Sequence, residues 1–182
     1  ILLFASVLSN TLLATSAEIP HDSQAAIERR RRVALNPDSE KFRALGLRDL
    51  ELFRVMEAYD RLDRAAMDGS KTFKTALLDD LSLYFTPHSY VAKPEVGKLM
   101  LELFADSVTL ATWEVEELDK LIEICNTKLG LTANSELYSR LVYRRLRIAG
   151  DRAGRQGFEM YLTRVIQDRI LPWDHRLIRE AL

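Results

Sequence analysis

A single cysteine, Cys125, stands in a chain of 182 residues. That excludes an intramolecular disulfide and a cysteine-based zinc site. Because Cys125 falls on an apolar helical stripe, it reads as a small core hydrophobe and not as a nucleophile. Glycine and proline are scarce as well, at seven and five residues. A β-sandwich needs many turns, so their scarcity argues for long helices. No sign of charge dominates: 26 Lys and Arg stand against 27 Asp and Glu, for a net charge of −1. No global field therefore recruits nucleic acid or an anionic membrane. The most apolar stretch, residues 1–18, is shorter than the roughly 20 mainly apolar residues of a membrane-spanning helix and is interrupted by Ser, Thr and Asn. Gly-rich phosphate loops, a Ser nucleophile elbow and a Cys/His pairing are all missing. His21, His88 and His175 lie in three separate segments, whereas a metal site needs three or four converging ligands. The expectation is no catalytic residue, no cofactor and no metal, and so not an enzyme.

What is present is helical patterning on an ordinary soluble composition, 47% hydrophobic and 29% charged. Ten of the first fourteen residues are aliphatic, aromatic or Ala. With the connector that follows, residues 1–39 read as an N-terminal apolar arm laid on a partner; the alternative is a secretory signal over residues 1–17. The connector carries Arg29, Arg30, Arg31 and Arg32, which read as a solvated turn of helix with some flavour of a mitochondrial presequence. Residues 40–182 read as one helical domain. Leu52, Val55, Met56, Tyr59 and Leu62 form a first stripe ending at Asp68-Gly69, and Phe73, Leu77, Leu81 and Tyr84 form a second. Pro94, suited to the first turn of a helix, opens a third with Val96, Leu99, Met100, Leu103 and Phe104. Val115, Leu118, Ile122, Cys125 and Leu129 follow. Residues 134–173 then read as two helices joined by a turn with Gly150, Gly154 and Gly157. Leu137, Tyr138, Leu141, Val142 and Ile148 mark the first, and Phe158, Tyr161, Leu162, Val165 and Ile166 the second. Asp174 caps a final short helix with Leu177, Ile178 and Leu182. The pairs Asp79-Asp80 and Glu116-Glu117 read as solvated helix faces, and Trp113 and Trp173 as packing residues at hairpin junctions.

Pro94, Ala133 and Pro172 are spaced 39 and 39 residues apart, and each precedes a polar residue or Trp and then an apolar helix. Two helices per unit at such a period mean an α-solenoid. The expected fold class is all-α: a short solenoid of about three helical hairpins, about seven helices in all. Within it, LYSRLVYRRLRIAG resembles the first helix of a pentatricopeptide repeat, VIQDRILPW resembles a repeat end, and LDKLIEICNTKLGLTAN the second helix and end of the preceding repeat. The resemblance covers roughly residues 93–182, with units a few residues longer than the family's.

Many pentatricopeptide proteins bind single-stranded RNA, one base per repeat. Carried over, the resemblance places reading positions at Ser139 with Trp173, and near Lys98 with Asn134. Trp173 stands where a small hydrogen-bonding residue is expected, so neither pair is complete. The resemblance therefore implies the family's shape with a protein partner. The expected role is a non-catalytic accessory subunit of a large mitochondrial complex on the matrix side, binding protein subunits, with the ATP synthase catalytic head the foremost candidate. The alternative is a single-stranded RNA-binding protein of an organelle, as in a mitochondrial ribosome. Arg140, Arg144 and Arg147 share one side of a helix, and with Trp173 they are the candidate partner contacts.

Overall fold

The computed structural model describes residues 35–85 and 93–168, and singly 27, 28, 31, 170, 171, 176 and 179. The arm of residues 1–18, the segment 86–92, Trp173 and, of the expected final helix, Asp174, Leu177, Ile178 and Leu182 lie outside the described residues. The chain divides into two units, Ile1–Asn36 and Pro37–Leu182. Among its described residues the second unit is all-α, with seven helices and no strand.

The first helix, α1 (Ser39–Arg43), is a single short turn, and α2 (Asp49–Asp68) is the first long one. Asp38, just before α1, accepts a hydrogen bond from the Tyr59 hydroxyl on α2 at 2.8 Å. That bond fixes the short helix to the long one. The first turn of α2 is closed by Glu51, whose carboxylate accepts the Arg48 backbone N–H at 2.8 Å. Gly69 ends α2 with φ 117°, a backbone conformation closed to most L-residues, and α3 (Ser70–Leu83) starts at once. The two pack face to face through Leu52, Val55, Met56, Leu62, Phe73, Leu77 and Leu81, all buried.

Pro94 opens α4 (Pro94–Leu103), where its missing N–H costs no helical bond. Lys93 precedes it and donates to the carbonyls of Leu45 and Gly46, at 2.8 and 3.0 Å, at the end of α1. The buried face of α4 is Val96, Gly97, Met100 and Leu101. Leu99 and Leu103, expected in the core, are only partly buried. The helix stops after ten residues, and its packing face is set by the near approach at Gly97. A Cβ there would meet Leu129 Cδ2 at 2.6 Å and Phe85 Cβ at 2.9 Å. Phe104 follows, its ring centroid 5.1 Å from Tyr59 and 5.9 Å from Phe73. It closes the core between α2 and α3. The six-residue α5 (Ala105–Leu110) leads to Trp113, which is buried and donates its indole N–H to the Val108 carbonyl at 2.8 Å.

Next, α6 (Val115–Glu123) passes into a widened π turn over Ile124–Lys128, where the Leu129 N–H reaches the Ile124 carbonyl at 3.1 Å. Ser135 then caps α7 (Glu136–Gln167), its hydroxyl accepting the Tyr138 N–H. At Gly154 the backbone leaves helical geometry, with φ 62° and ψ −155°. A straight helix would separate residues eight apart by about 12 Å. Yet a Cβ on Gly157 would lie 2.7 Å from the Ala149 carbonyl oxygen, and one on Gly150 would lie 3.4 Å from the Phe158 ring. The chain therefore doubles back, and α7 is a hairpin of two limbs paired symmetrically about Ala153 and Gly154. This is the pair of helices expected from the glycine pattern. Neighbour packing runs α2 on α3, α3 on α5 and α6, and α6 on α7.

Gly157→Ala tests this close approach. The added methyl would also sit 2.4 Å from the Ala153 Cβ, so the limbs must part, and the expected loss is about 1–3 kcal/mol in urea unfolding. An unchanged midpoint would mean that the limbs do not pack as described.

Candidate functional site: the arginine-bearing hairpin

The hairpin carries seven arginines against three acids, Glu136, Asp151 and Glu159. Most of those arginines are held by the protein itself. Arg140 bonds Glu136 one turn back at 2.7 Å on the exposed surface. Arg144 donates through Nη1 to the Thr109 carbonyl at the end of α5. Arg152 reaches Glu114 at 2.8 Å, and Arg155 reaches Glu159 at 2.6 Å. Arg147 is exposed and has no ion-pair partner among the described residues. Of the expected partner contacts, then, Arg140 and Arg144 are engaged within the chain, Arg147 is open, and Trp173 lies outside the described residues.

Arg145 has the most constrained place. Its Nε and Nη2 donate to the two oxygens of Asp119 on α6 at 2.7 and 3.1 Å, a forked pair that matches guanidinium to carboxylate. Its guanidinium carbon also sits 4.4 Å from the ring centroid of Tyr161 on the second limb. One side chain thus ties α6 to both limbs of α7. Burial pushes the Tyr161 hydroxyl up to about 12; Asp119 adds to that rise, and Arg145 opposes it.

Two charged residues, Lys74 and Asp80, belong to the core. Lys74 on α3 is 6% exposed. It donates to the Thr112 carbonyl at 2.5 Å and to Glu117 on α6, and its ammonium lies 5.8 Å from the Trp113 ring. Burial alone would raise the Glu117 carboxyl, but the Lys74 bond, the Glu114 amide and the Lys74 charge together hold it below the usual range. Asp80 is 2% exposed and pairs with Arg61 on α2. The expectation of a solvated Asp79-Asp80 pair is corrected accordingly: Asp79 faces water and Asp80 does not. Glu116-Glu117 divides the same way, Glu116 exposed and Glu117 bound to Lys74. Burial holds the Asp80 carboxyl above its ordinary 3.8, against the Arg61 bond and charge and with the help of Asp79.

Ser139, the residue placed at a base-reading position by the resemblance, is buried, and its hydroxyl donates to the Ala133 carbonyl at 3.0 Å. Lys98 is half-buried and Asn134 exposed. Cys125 is fully buried, and burial pushes its thiol up to about 12, far from a reactive thiolate at neutral pH. The three histidines lie outside the described residues. Among the described residues no group of three or more His, Cys, Asp or Glu could hold a metal ion, and no helix is long and apolar enough to cross a membrane. Comparison with protein-family models, with curated proteins and with solved structures finds no match to this chain.

Arg145 and Asp80 each have a measurable consequence. Arg145→Lys keeps the charge but loses the fork and the flat stack on Tyr161, so unfolding should cost about 1–3 kcal/mol less; a change within error would show the pair to be idle. For Asp80 the sign is set by linkage. A folded carboxyl pKa above the unfolded one means that the folded chain holds the proton more tightly, so this group's contribution falls as pH rises from the ordinary carboxylate range. Asp80→Asn should therefore gain more stability than the wild type between about pH 4 and pH 7. Parallel pH profiles would refute that.

Proposed function

We propose that this chain is a non-catalytic accessory subunit of a large mitochondrial complex, attached to a partner protein through a short pentatricopeptide-like α-solenoid. One observation carries the choice of protein over RNA. The resemblance gives Ser139 the base-reading role, and its hydroxyl is turned into the core and held by Ala133. A base cannot reach it without opening the first limb of α7. The hairpin arginines point the same way, because Arg144, Arg145 and Arg152 bind neighbouring helices of the same chain. Little of their charge is left for the phosphate contacts that dominate nucleic-acid affinity. Within the resembled family, small accessory subunits occur on the catalytic head of the euglenozoan mitochondrial ATP synthase, and that head on the matrix side is the partner we favour. The role is scaffolding, with no substrate and no cofactor.

The test is migration of the tagged full chain in gently solubilised mitochondria. Co-migration with the ATP synthase head subunits through native gels and sedimentation, unaffected by ribonuclease, is the expected result. Migration as a free chain near its own 20.9 kDa would overturn the proposal, as would ribonuclease-sensitive co-migration with ribosomal particles.

A further inference from the structure

Asp80 is a carboxylate set into the seam between α2 and α3, 2% exposed and satisfied on one oxygen only. Its Oδ1 accepts a hydrogen bond from Arg61 Nη2 on α2. Its Oδ2 is buried with no hydrogen-bond partner among the described residues. A buried charge with one bare oxygen is costly, because nothing there replaces the water it has lost. Arg61 is placed the opposite way. Its side chain is half exposed, and its guanidinium carbon lies 5.6 Å from the ring centroid of Tyr84 at the end of α3. One end of the pair is fixed in the core, and the other has water and an aromatic face within reach.

Few other charges act there. Besides Arg61, the described charge that acts on the Asp80 carboxyl is Asp79, its exposed neighbour on α3, which favours the neutral form. On α2, Asp60 and Arg64 pair with each other at 2.9 Å, and Glu57 has contacts of its own. The other two helices that pack on α3 are α5 and α6. The first carries only Asp106, which is exposed, and the second meets α3 through Glu117, already bound to Lys74.

We propose that Asp80 and Arg61 form a proton-operated latch between α2 and α3, closed while Asp80 is charged and released when Oδ2 takes a proton. That oxygen can take a proton without breaking a bond, since no donor holds it. The neutral acid leaves Arg61 facing an uncharged oxygen, and a charge-assisted bond becomes an ordinary one. A half-exposed guanidinium then gains more from water than from that contact. Arg61 moves to the solvent side of α2 beside Tyr84, while Val55, Leu62, Phe73 and Leu77 keep the two helices packed. The outer face of the α2–α3 pair thereby gains a free cation in mild acid and loses it at neutral pH, with the fold intact.

The test is an NMR titration of the isotopically labelled full chain from about pH 8 to pH 4. The Asp80 Cγ signal should titrate about one pH unit or more above that of Asp79, a proton affinity at least tenfold higher. The Arg61 guanidinium signals, slow to exchange with water while the latch is closed, should become those of a free arginine with the same midpoint. In Asp80→Asn they should be free at every pH. In Arg61→Gln the Asp80 midpoint should rise further, because the opposing charge is gone. Asp80 and Asp79 titrating together would overturn the latch. So would Arg61 signals that stay bound through the Asp80 midpoint or change at a different one, and so would an Arg61→Gln midpoint no higher than the wild type's. Loss of the far-UV helical signal before Asp80 takes its proton overturns it as well, since the latch must act inside the folded chain. The wild-type titration decides the matter even if a variant fails to fold.

Discussion

The forked bond between Arg145 and Asp119 is the constraint on which the C-terminal half of the molecule depends. Asp119 belongs to α6, Arg145 to the first limb of α7, and the Tyr161 ring beneath the guanidinium to the second. Three helices thus share one planar group whose five donors have fixed directions. Apolar cores tolerate exchange among side chains of similar volume, so Leu against Val has no sharply preferred register. A fork over an aromatic face does have one. It sets how far α7 is advanced along α6, and through the turn at Gly154 it sets where the second limb begins.

The N-terminal half uses the same device with different chemistry. Lys74 binds the Thr112 carbonyl and Glu117, and so joins α3 to the approach and first turn of α6. Arg61 joins α2 to α3 through Asp80. In each case a cation on one helix is held by oxygen on the next, and the apolar face supplies adhesion while the polar pair supplies position. Such pairs add little net stability once desolvation is counted, and their better-attested use is to select one arrangement among several apolar ones. A chain with nearly balanced charge can therefore be rich in arginine without presenting a basic surface.

The sequence was legible where the controlling interaction is local. Pro94 marks a helix start, and Gly69 and the group Gly150, Gly154 and Gly157 mark reversals, because each acts on its own backbone within a few residues. The alternation of apolar residues predicted Leu52, Val55, Met56, Leu118, Leu141 and Val165 in the core, and they are there. What stayed hidden depends on distant partners. Nothing near Lys74 in the chain says that Glu117, 43 residues on, will draw it into the interior. Asp80 looks like its exposed neighbour Asp79 until Arg61 is brought across from α2. Leu101 replaced Leu99 and Leu103 in the core because Leu129 and Phe85 come to rest on Gly97, a contact that periodicity cannot foresee. The candidate site divides along the same line. The arginine stripe of α7 could be read from spacing, while the Thr109 carbonyl that holds Arg144 could not, since it lies 35 residues earlier in the chain.

The doubled-back geometry of α7 also decides where the chain can change its length. Residues 151–156 at the bend are all exposed, and nothing stands within 4 Å of where a side chain on Gly154 would begin. Extra residues placed there would enlarge an open loop and leave both limbs in register. One residue lost from within a limb would instead rotate everything beyond it by about 100°, carrying Tyr161 out from under Arg145. Related chains should therefore differ in length at the bend and keep a constant count within each limb.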